Sequence, residues 1–168
     1  MARPAALHSC PPDALAALGP VLCLHDARDR HPLSGWRRAV QVHAHVSLDS
    51  EGPSEALCFR SADGECCWQL HRLPDSDFLA WERLLDCVPV EACQADTHPG
   101  PRWRAVRLSA WPRWRPCALR LHAVPGLPAE QALAAADVDL SRLGREAADR
   151  IARRLGGLIG FGGGLAPA

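Results

Sequence analysis

The chain has 168 residues, 48% of them hydrophobic and 23% charged, which is the composition of a globular domain with a substantial core. Its 19 basic residues, all of them arginine, are balanced by 19 acidic residues. A net charge of zero provides no overall attraction to nucleic acid, so we expect no nucleic-acid partner. Every apolar run is shorter than 18 residues, which predicts no membrane insertion.

Cysteine spacing and the N-terminus bear on the cellular compartment. Eight cysteines are present, and none has the C-x-x-C spacing typical of zinc and redox motifs. Residues 1–20 contain His, Pro and Asp and lack the apolar stretch of an export signal. We therefore expect a cytoplasmic protein whose thiols are mostly reduced and buried.

The first predicted elements are short apolar stretches between proline and glycine. Residues 13–18 predict a helix that Asp13 caps and Gly19 ends. Residues 21–25 form an apolar run that predicts a strand. The polar stretch at 26–35 then predicts a loop.

Residues 39–48 alternate apolar and polar side chains, which is the pattern of a strand with two different faces. Val42 and Ala44 belong to the apolar face, whereas His43 and His45 belong to the polar face. The strand therefore predicts a sheet with one face against a core.

The next region predicts a loop at 49–55 and then a β-hairpin. Two apolar stretches flank Asp63 and Gly64, a dipeptide that favours tight turns between strands. Alternation in the second strand separates two sets of side chains, namely Cys66, Trp68 and Leu70 on one face and Cys67, Gln69 and His71 on the other.

A helix is predicted over 74–88, because apolar residues recur there every three or four positions. Asp75 or Ser76 can cap its N-terminus, and Pro89 ends it. The stripe of Phe78, Trp81, Leu85 and Val88 is expected to face the core.

The C-terminal part predicts a loop at 91–101, two strands around Pro112 and a helix over 139–155. Residues 157–168 form a Gly-rich flexible tail, so residues 1–156 constitute a single domain. This order of elements predicts an α+β fold, with a mostly antiparallel sheet and helices packed on one face.

No motif identifies a catalytic set. The chain lacks the G-x-S-x-G nucleophile motif, and its GFGGG segment has no following helix with which to cradle phosphate. These absences argue against a hydrolytic enzyme and favour a protein without catalytic activity, and they do not identify what the chain binds.

The histidines offer a different chemistry. His43 and His45 share a strand face, and with His71 from a neighbouring strand they can ligate a metal ion. A solvent-exposed polar face explains the same pattern without any ligand.

Three segments between residues 15 and 85 share the pattern of a known family. The matching positions are Leu18, Gly19 and Val21 at the end of a helix, Phe59, Ala62 and Gly64 in a hairpin, and Ser76, Asp77, Ala80 and Leu84 in a helix that opens "sD..a...L". They resemble one unit of the cytoplasmic haem-utilisation family. This family comprises the haemin-transport or haemin-degrading proteins of Gram-negative bacteria and their single-unit relatives.

The resemblance implies a carrier or delivery protein for haemin in iron acquisition, with haem b as its cofactor. His31 lies nearest to the position of the family's axial iron ligand, and His45 and His71 are the alternatives. Arg37 and Arg38 then become partners for the haem propionates. Haem-degrading activity follows only by analogy with the family.

The resemblance also implies a second protein that delivers or degrades haem, and an exposed sheet edge can pair two copies as a homodimer. An alternative follows from two departures. The family's "LTRN" segment is replaced by "LHDARD", and Trp68 stands where the family has a histidine. The alternative is therefore a non-catalytic interaction or regulatory domain that kept the fold and lost haem ligation.

Overall fold

The computed structural model of the chain describes residues 5–6, 10–49, 52–92 and 114–155. The strands of these segments are β1 (Ala5–Ala6), β2 (Pro20–Asp26), β3 (Gln41–Asp49), β4 (Gly52–Arg60), β5 (Cys66–His71), β6 (Val90–Ala92), β7 (Trp114–Ala123) and β8 (Leu133–Asp137). The helices are α1 (Pro12–Ala16), α2 (Ser34–Arg38), α3 (Phe78–Leu85) and α4 (Arg142–Arg154). None of these helices is long and apolar enough to cross a membrane.

The strands form one sheet in the order β1, β3, β4, β5, β2, β7, β8. Neighbours along this path are antiparallel, and β6 adds a parallel pairing to the edge of β3. The predicted α+β class with a mostly antiparallel sheet is confirmed.

Strand β2 lies inside the sheet, and its side chains point alternately into two cores. Val21 and Cys23 pack in the core that α1, α2 and α3 cover, here called the three-helix face. Leu22 and Leu24 pack on the opposite side, here called the α4 face. The prediction placed all helices on one face. Helix α4 instead covers the second face, because β2 is apolar on both sides and both must be removed from water.

Several element boundaries differ from the predicted ones. The loop predicted at 49–55 is shorter, since Asp49 pairs with Gly52 and extends the β3–β4 hairpin. Strands β6 and β8 were not predicted, because one is three residues long and the other is rich in alanine, which favours strands weakly. The strand predicted before Pro112 and the tail at 157–168 lie outside the described residues.

The predicted alternation of β5 changes at its start. The pairing of β4 with β5 shifts between Phe59 and Arg60, as in a β-bulge. Cys67 consequently packs in the core of the three-helix face with Trp68, although alternation had separated them. Cys66 instead lies within hydrogen-bonding reach of the Cys58 thiol.

Three aromatic rings pack against one another where α2 contacts the sheet. The ring centroid of Phe59 lies 4.9 Å from that of Trp68 and 5.8 Å from that of Trp36. The backbone of α2 approaches β5 so closely that a Cβ at Gly35 would lie 2.8 Å from the Cβ of Trp68 and would overlap the carbonyl of Cys67. Only glycine fits there without displacing α2 from the sheet.

We expect Gly35→Ala to lower the free energy of unfolding by about 3 kcal/mol, because the obstructing atoms include backbone that cannot rotate away. Gly126→Ala is the control, since Gly126 has a φ of 80° but a Cβ at this position would meet no atom within 4 Å. It should cost about 1 kcal/mol through backbone strain alone. Urea unfolding measures both changes, and an equal cost at the two sites would contradict the close approach of α2.

Candidate functional site

The residues selected from the sequence fall into two separate places. His31, Arg37 and Arg38 belong to the loop and helix that follow the C-terminal end of β2. The side chains of His45 and His71 point to the α4 face of the sheet and lie towards the other end of β2. His71 pairs with Leu22, four residues before the end of β2, which corresponds to about 13 Å along the strand.

The side chain of His31 makes a hydrogen bond within its own turn. Its side chain is exposed, and its Nδ1 accepts a hydrogen bond of 3.1 Å from the backbone N–H of Leu33. In the neutral ring the hydrogen is then on Nε2, so the outward nitrogen has no lone pair to give to iron. Ligation of iron through Nε2 would therefore require the loss of this hydrogen bond, and the axial role of His31 stays a prediction.

The two arginines near His31 are poorly suited to haem propionates. Arg38 makes two hydrogen bonds, of 2.7 and 2.8 Å, to the carboxylate of Asp29. It lines an open cavity of about 450 Å³ that also contains the carboxylates Asp26, Asp29, Asp63 and Glu65. Asp26 and Asp29 are paired with Arg28 and Arg38, so the lining carries four acids against two arginines, and its net negative charge disfavours an anionic ligand. Arg37 is exposed and does not line this cavity.

The sheet register brings the other two candidates together. His45 of β3 pairs with Ala56 of β4, which in turn pairs with His71 of β5. All three residues occupy one cross-strand row on the α4 face, and only a methyl group separates the two imidazoles within that row. His43 belongs to the next row, with Cys58 and Gln69.

His71 is a neutral imidazole in the folded protein. It is 6% exposed, and burial, followed by the charges of Arg154 and His45, lowers its pKa to about 4. Its Nε2 lies 3.0 Å from Oε1 of Gln69, while its buried Nδ1 has no hydrogen-bond partner among the described residues. A neutral ring with an unused lone pair is the form that ligates metals.

A cleft near this row supplies positive charge, and its Arg154 acts electrostatically on His71, although none of the three row residues lines the cleft. It has a volume of about 200 Å³ between α4 and the ends of β4 and β5, and Arg72, Arg150 and Arg154 line it. Arg72 is occupied, because its Nε lies 3.2 Å from a Glu55 oxygen and its guanidinium lies 4.6 Å from the centre of the Phe78 ring. The volume is below the roughly 300–1,000 Å³ typical of enclosed ligand sites, so a large ligand would remain partly exposed here.

Arg150 and Arg154 were not among the residues selected from the sequence. The two residues are four positions apart in the predicted helix and therefore lie on the same side of it. This spacing could have identified them as a pair from the sequence. Only the packing of α4 against the sheet shows that this side lines the cleft and that Arg154 acts on His71.

The alternative of a metal site formed by His43, His45 and His71 is not supported. The described residues contain no group of three or more His, Cys, Asp or Glu side chains that could hold a metal ion. Haem iron differs in this respect, because the porphyrin fills four positions and the protein supplies one or two axial ligands.

Comparisons of the chain with models of protein families, with curated proteins and with solved structures found no match in any of the three.

The state of His71 predicts how stability depends on pH. Because its pKa is lowered in the folded protein, the unfolded chain binds a proton that the folded protein does not, between about pH 6.5 and pH 4. The contribution of this residue to stability is therefore full above pH 6.5 and is lost as the pH falls towards 4, by about 3 kcal/mol.

The measurement is urea unfolding of the wild type and of His71→Gln between about pH 7.5 and pH 4.5. Glutamine keeps a polar side chain but does not titrate, so the variant should lose less stability over this interval. Parallel losses in the two proteins would show that His71 does not titrate in this way.

Proposed function

We propose that this chain is a cytoplasmic haem-binding protein of iron utilisation, which holds haem against the α4 face of the sheet and carries or delivers it. The observation that supports this proposal best is the cross-strand row His45–Ala56–His71. A cleft lined with arginine lies near this row, and Arg154 of that cleft acts electrostatically on His71. Haem requires this combination of a nitrogen ligand for iron and cations for two propionates.

His45 is the proposed axial ligand. The side chain of His45 is half-buried and so remains partly open to solvent, whereas the side chain of His71 is buried. An imidazole that is open on one side can reach an iron atom without the sheet opening. His71, held neutral by burial, avoids placing a second positive charge beside the iron.

The remaining requirements are met by helix α4. Arg150 and Arg154 face the cleft on successive turns and are the proposed propionate partners. Ala147 and Ile151, from the same helix, line the cleft with apolar surface for the porphyrin ring. Haem bound here would supply a coordinated iron, and the role of the chain is to bind and orient it.

The proposed role is transport or delivery without ring opening. A protein that delivers or degrades haem is then the expected partner, since a carrier must exchange its cargo with another protein. Partial exposure of haem at a shallow cleft suits such an exchange, because the propionate edge or the ring stays accessible to the recipient.

Titration of haemin into the purified protein, followed at the Soret band, tests the ligand. We expect saturable binding of one haem per chain, and a loss of affinity of at least about tenfold in His45→Ala. His31→Ala is the matched control, since it removes an exposed imidazole from the other end of the sheet, and its affinity should equal that of the wild type.

The outcomes separate the candidates. A loss confined to His31→Ala would move the ligand to the loop after β2, and a loss confined to His71→Gln would move it deeper into the row. Binding no stronger than that of an unrelated protein would exclude haem. It would favour the alternative, a non-catalytic interaction domain that has lost haem ligation.

The propionate partners can be tested in the same assay. We expect Arg150→Ala to weaken haemin binding by about three- to tenfold, because one charge-assisted hydrogen bond is lost at a partly exposed site. Arg37→Ala is the control, since Arg37 is also exposed but lies at the opposite end of β2. Equal affinities of the two variants would remove Arg150 from the site.

A further inference from the structure

The three-helix face holds a second cluster of reactive side chains, formed by β2 and β7. Cys23 and Cys117 are direct partners in the antiparallel register of these strands. The Cys117 thiol donates a hydrogen bond of 3.8 Å to the backbone carbonyl oxygen of Cys23, and the Cys23 thiol lies within hydrogen-bonding reach of the Cys117 sulfur. His25, two residues after Cys23, points to the same face and lies within hydrogen-bonding reach of the Cys117 thiol.

The register permits a disulfide without movement of the backbone. Directly opposed residues in antiparallel strands have Cα atoms about 4.5–5.5 Å apart. This range falls within the roughly 4.4–6.8 Å spanned by disulfides. The two thiols differ in access, since Cys23 is fully buried and Cys117 is partly exposed. Cys117 is therefore the more accessible residue of the pair.

The orientation of His25 suits a proton acceptor for Cys117. Its Nδ1 lies 3.1 Å from the backbone oxygen of Asp26, and since a carbonyl can only accept, Nδ1 carries the hydrogen. Nε2 is then the nitrogen available to the thiol. This arrangement of nucleophile, base and orienting acceptor is the one used to activate weak nucleophiles.

The charges of the three groups are consistent with this arrangement. The hydrogen bond from Cys23, together with His25, lowers the pKa of Cys117 to about 6 despite burial. Burial, and then Cys117, raise the pKa of Cys23 well above its ordinary value. Burial alone would lower the pKa of His25, but its interactions with Cys117 outweigh burial and raise it. Of the two thiols, Cys117 is therefore the one that loses its proton more readily.

We propose that Cys23 and Cys117 form a two-thiol redox site that reduces small hydroperoxides, with Cys117 as the attacking sulfur and Cys23 as the resolving sulfur. The register of β2 and β7 and the unequal exposure of the two thiols carry this assignment. The described residues contain no cluster that could hold a metal ion, so the thiols are not assigned to metal binding.

The chemistry balances in two steps. The Cys117 thiolate attacks one peroxide oxygen, an S–O bond forms as the O–O bond breaks, and the departing oxygen takes a proton to leave as water or an alcohol. The sulfur loses two electrons to the peroxide and becomes a sulfenic acid. The Cys23 sulfur then attacks it, an S–S bond forms, the S–O bond breaks, and hydroxide leaves as water with the Cys23 proton. A dithiol reductant restores both thiols.

The experiment exposes the full chain to hydrogen peroxide near neutral pH and maps the resulting cross-link by peptide mass spectrometry. In the wild type we expect a Cys23–Cys117 disulfide that dithiothreitol reverses. In Cys117→Ser this cross-link is absent, and peroxide consumption falls at least about tenfold. In Cys23→Ala, a sulfenic acid accumulates at Cys117 and is trapped by dimedone.

Two matched controls come from the other thiols. Cys66, whose pKa is also lowered by its contact with Cys58, lies opposite Arg60 and not opposite a cysteine, so Cys66→Ser should leave the Cys23–Cys117 cross-link unchanged. Cys87→Ser removes an exposed thiol and should also have no effect. If peroxide were consumed equally fast by Cys117→Ser, or if the wild-type cross-link joined other cysteines, the assignment would be overturned. The wild-type map decides this even if Cys23→Ala does not fold.

Discussion

The burial of β2 on both of its faces is the constraint on which the rest of the structure depends. Its neighbours β5 and β7 satisfy its backbone hydrogen bonds on both edges, so its side chains alone decide what covers it. Leu22 and Leu24 require cover on one side, and Val21 and Cys23 require it on the other. Helix α4 on one face and α1, α2 and α3 on the other are the result.

Because both faces of β2 are covered, some polar side chains are buried among apolar residues. His71 lies on the α4 face opposite Leu22, and His25 lies on the three-helix face at the end of β2. Burying an imidazole costs free energy unless it stays neutral or finds a partner. His71 meets this condition by remaining neutral, and His25 meets it through the Asp26 carbonyl and the Cys117 thiol.

The two candidate sites involve neighbouring residues of β2 but lie on opposite faces of the sheet. Leu22 pairs with His71, whereas the next residue, Cys23, pairs with Cys117 and points to the opposite face. A ligand on the α4 face therefore contacts neither thiol directly. Both sites nevertheless depend on the position of β2. Because protein interiors pack as densely as crystals, this strand holds the residues of both sites in place.

Local patterns in the sequence were sufficient for most of the elements and for the fold class. The alternation in β3 placed His43 and His45 away from the apolar face, and Asp77 caps α3 close to the predicted start of that helix. These features depend on residues within one turn or one strand, which is why periodicity and capping rules identify them.

The sites were decided by tertiary structure, because they depend on contacts between residues far apart in the chain. His45 and His71 were each identified as candidates, but only the three-strand register brings them into one row. The pairing of Cys23 with Cys117 spans 94 residues and leaves no local pattern at all. The sequence by itself therefore determined which chemical groups are present and which strand face each can occupy. The order of the strands and the placement of α4 decided which of those groups meet, since pairing between distant strands is set by the packing of the whole core.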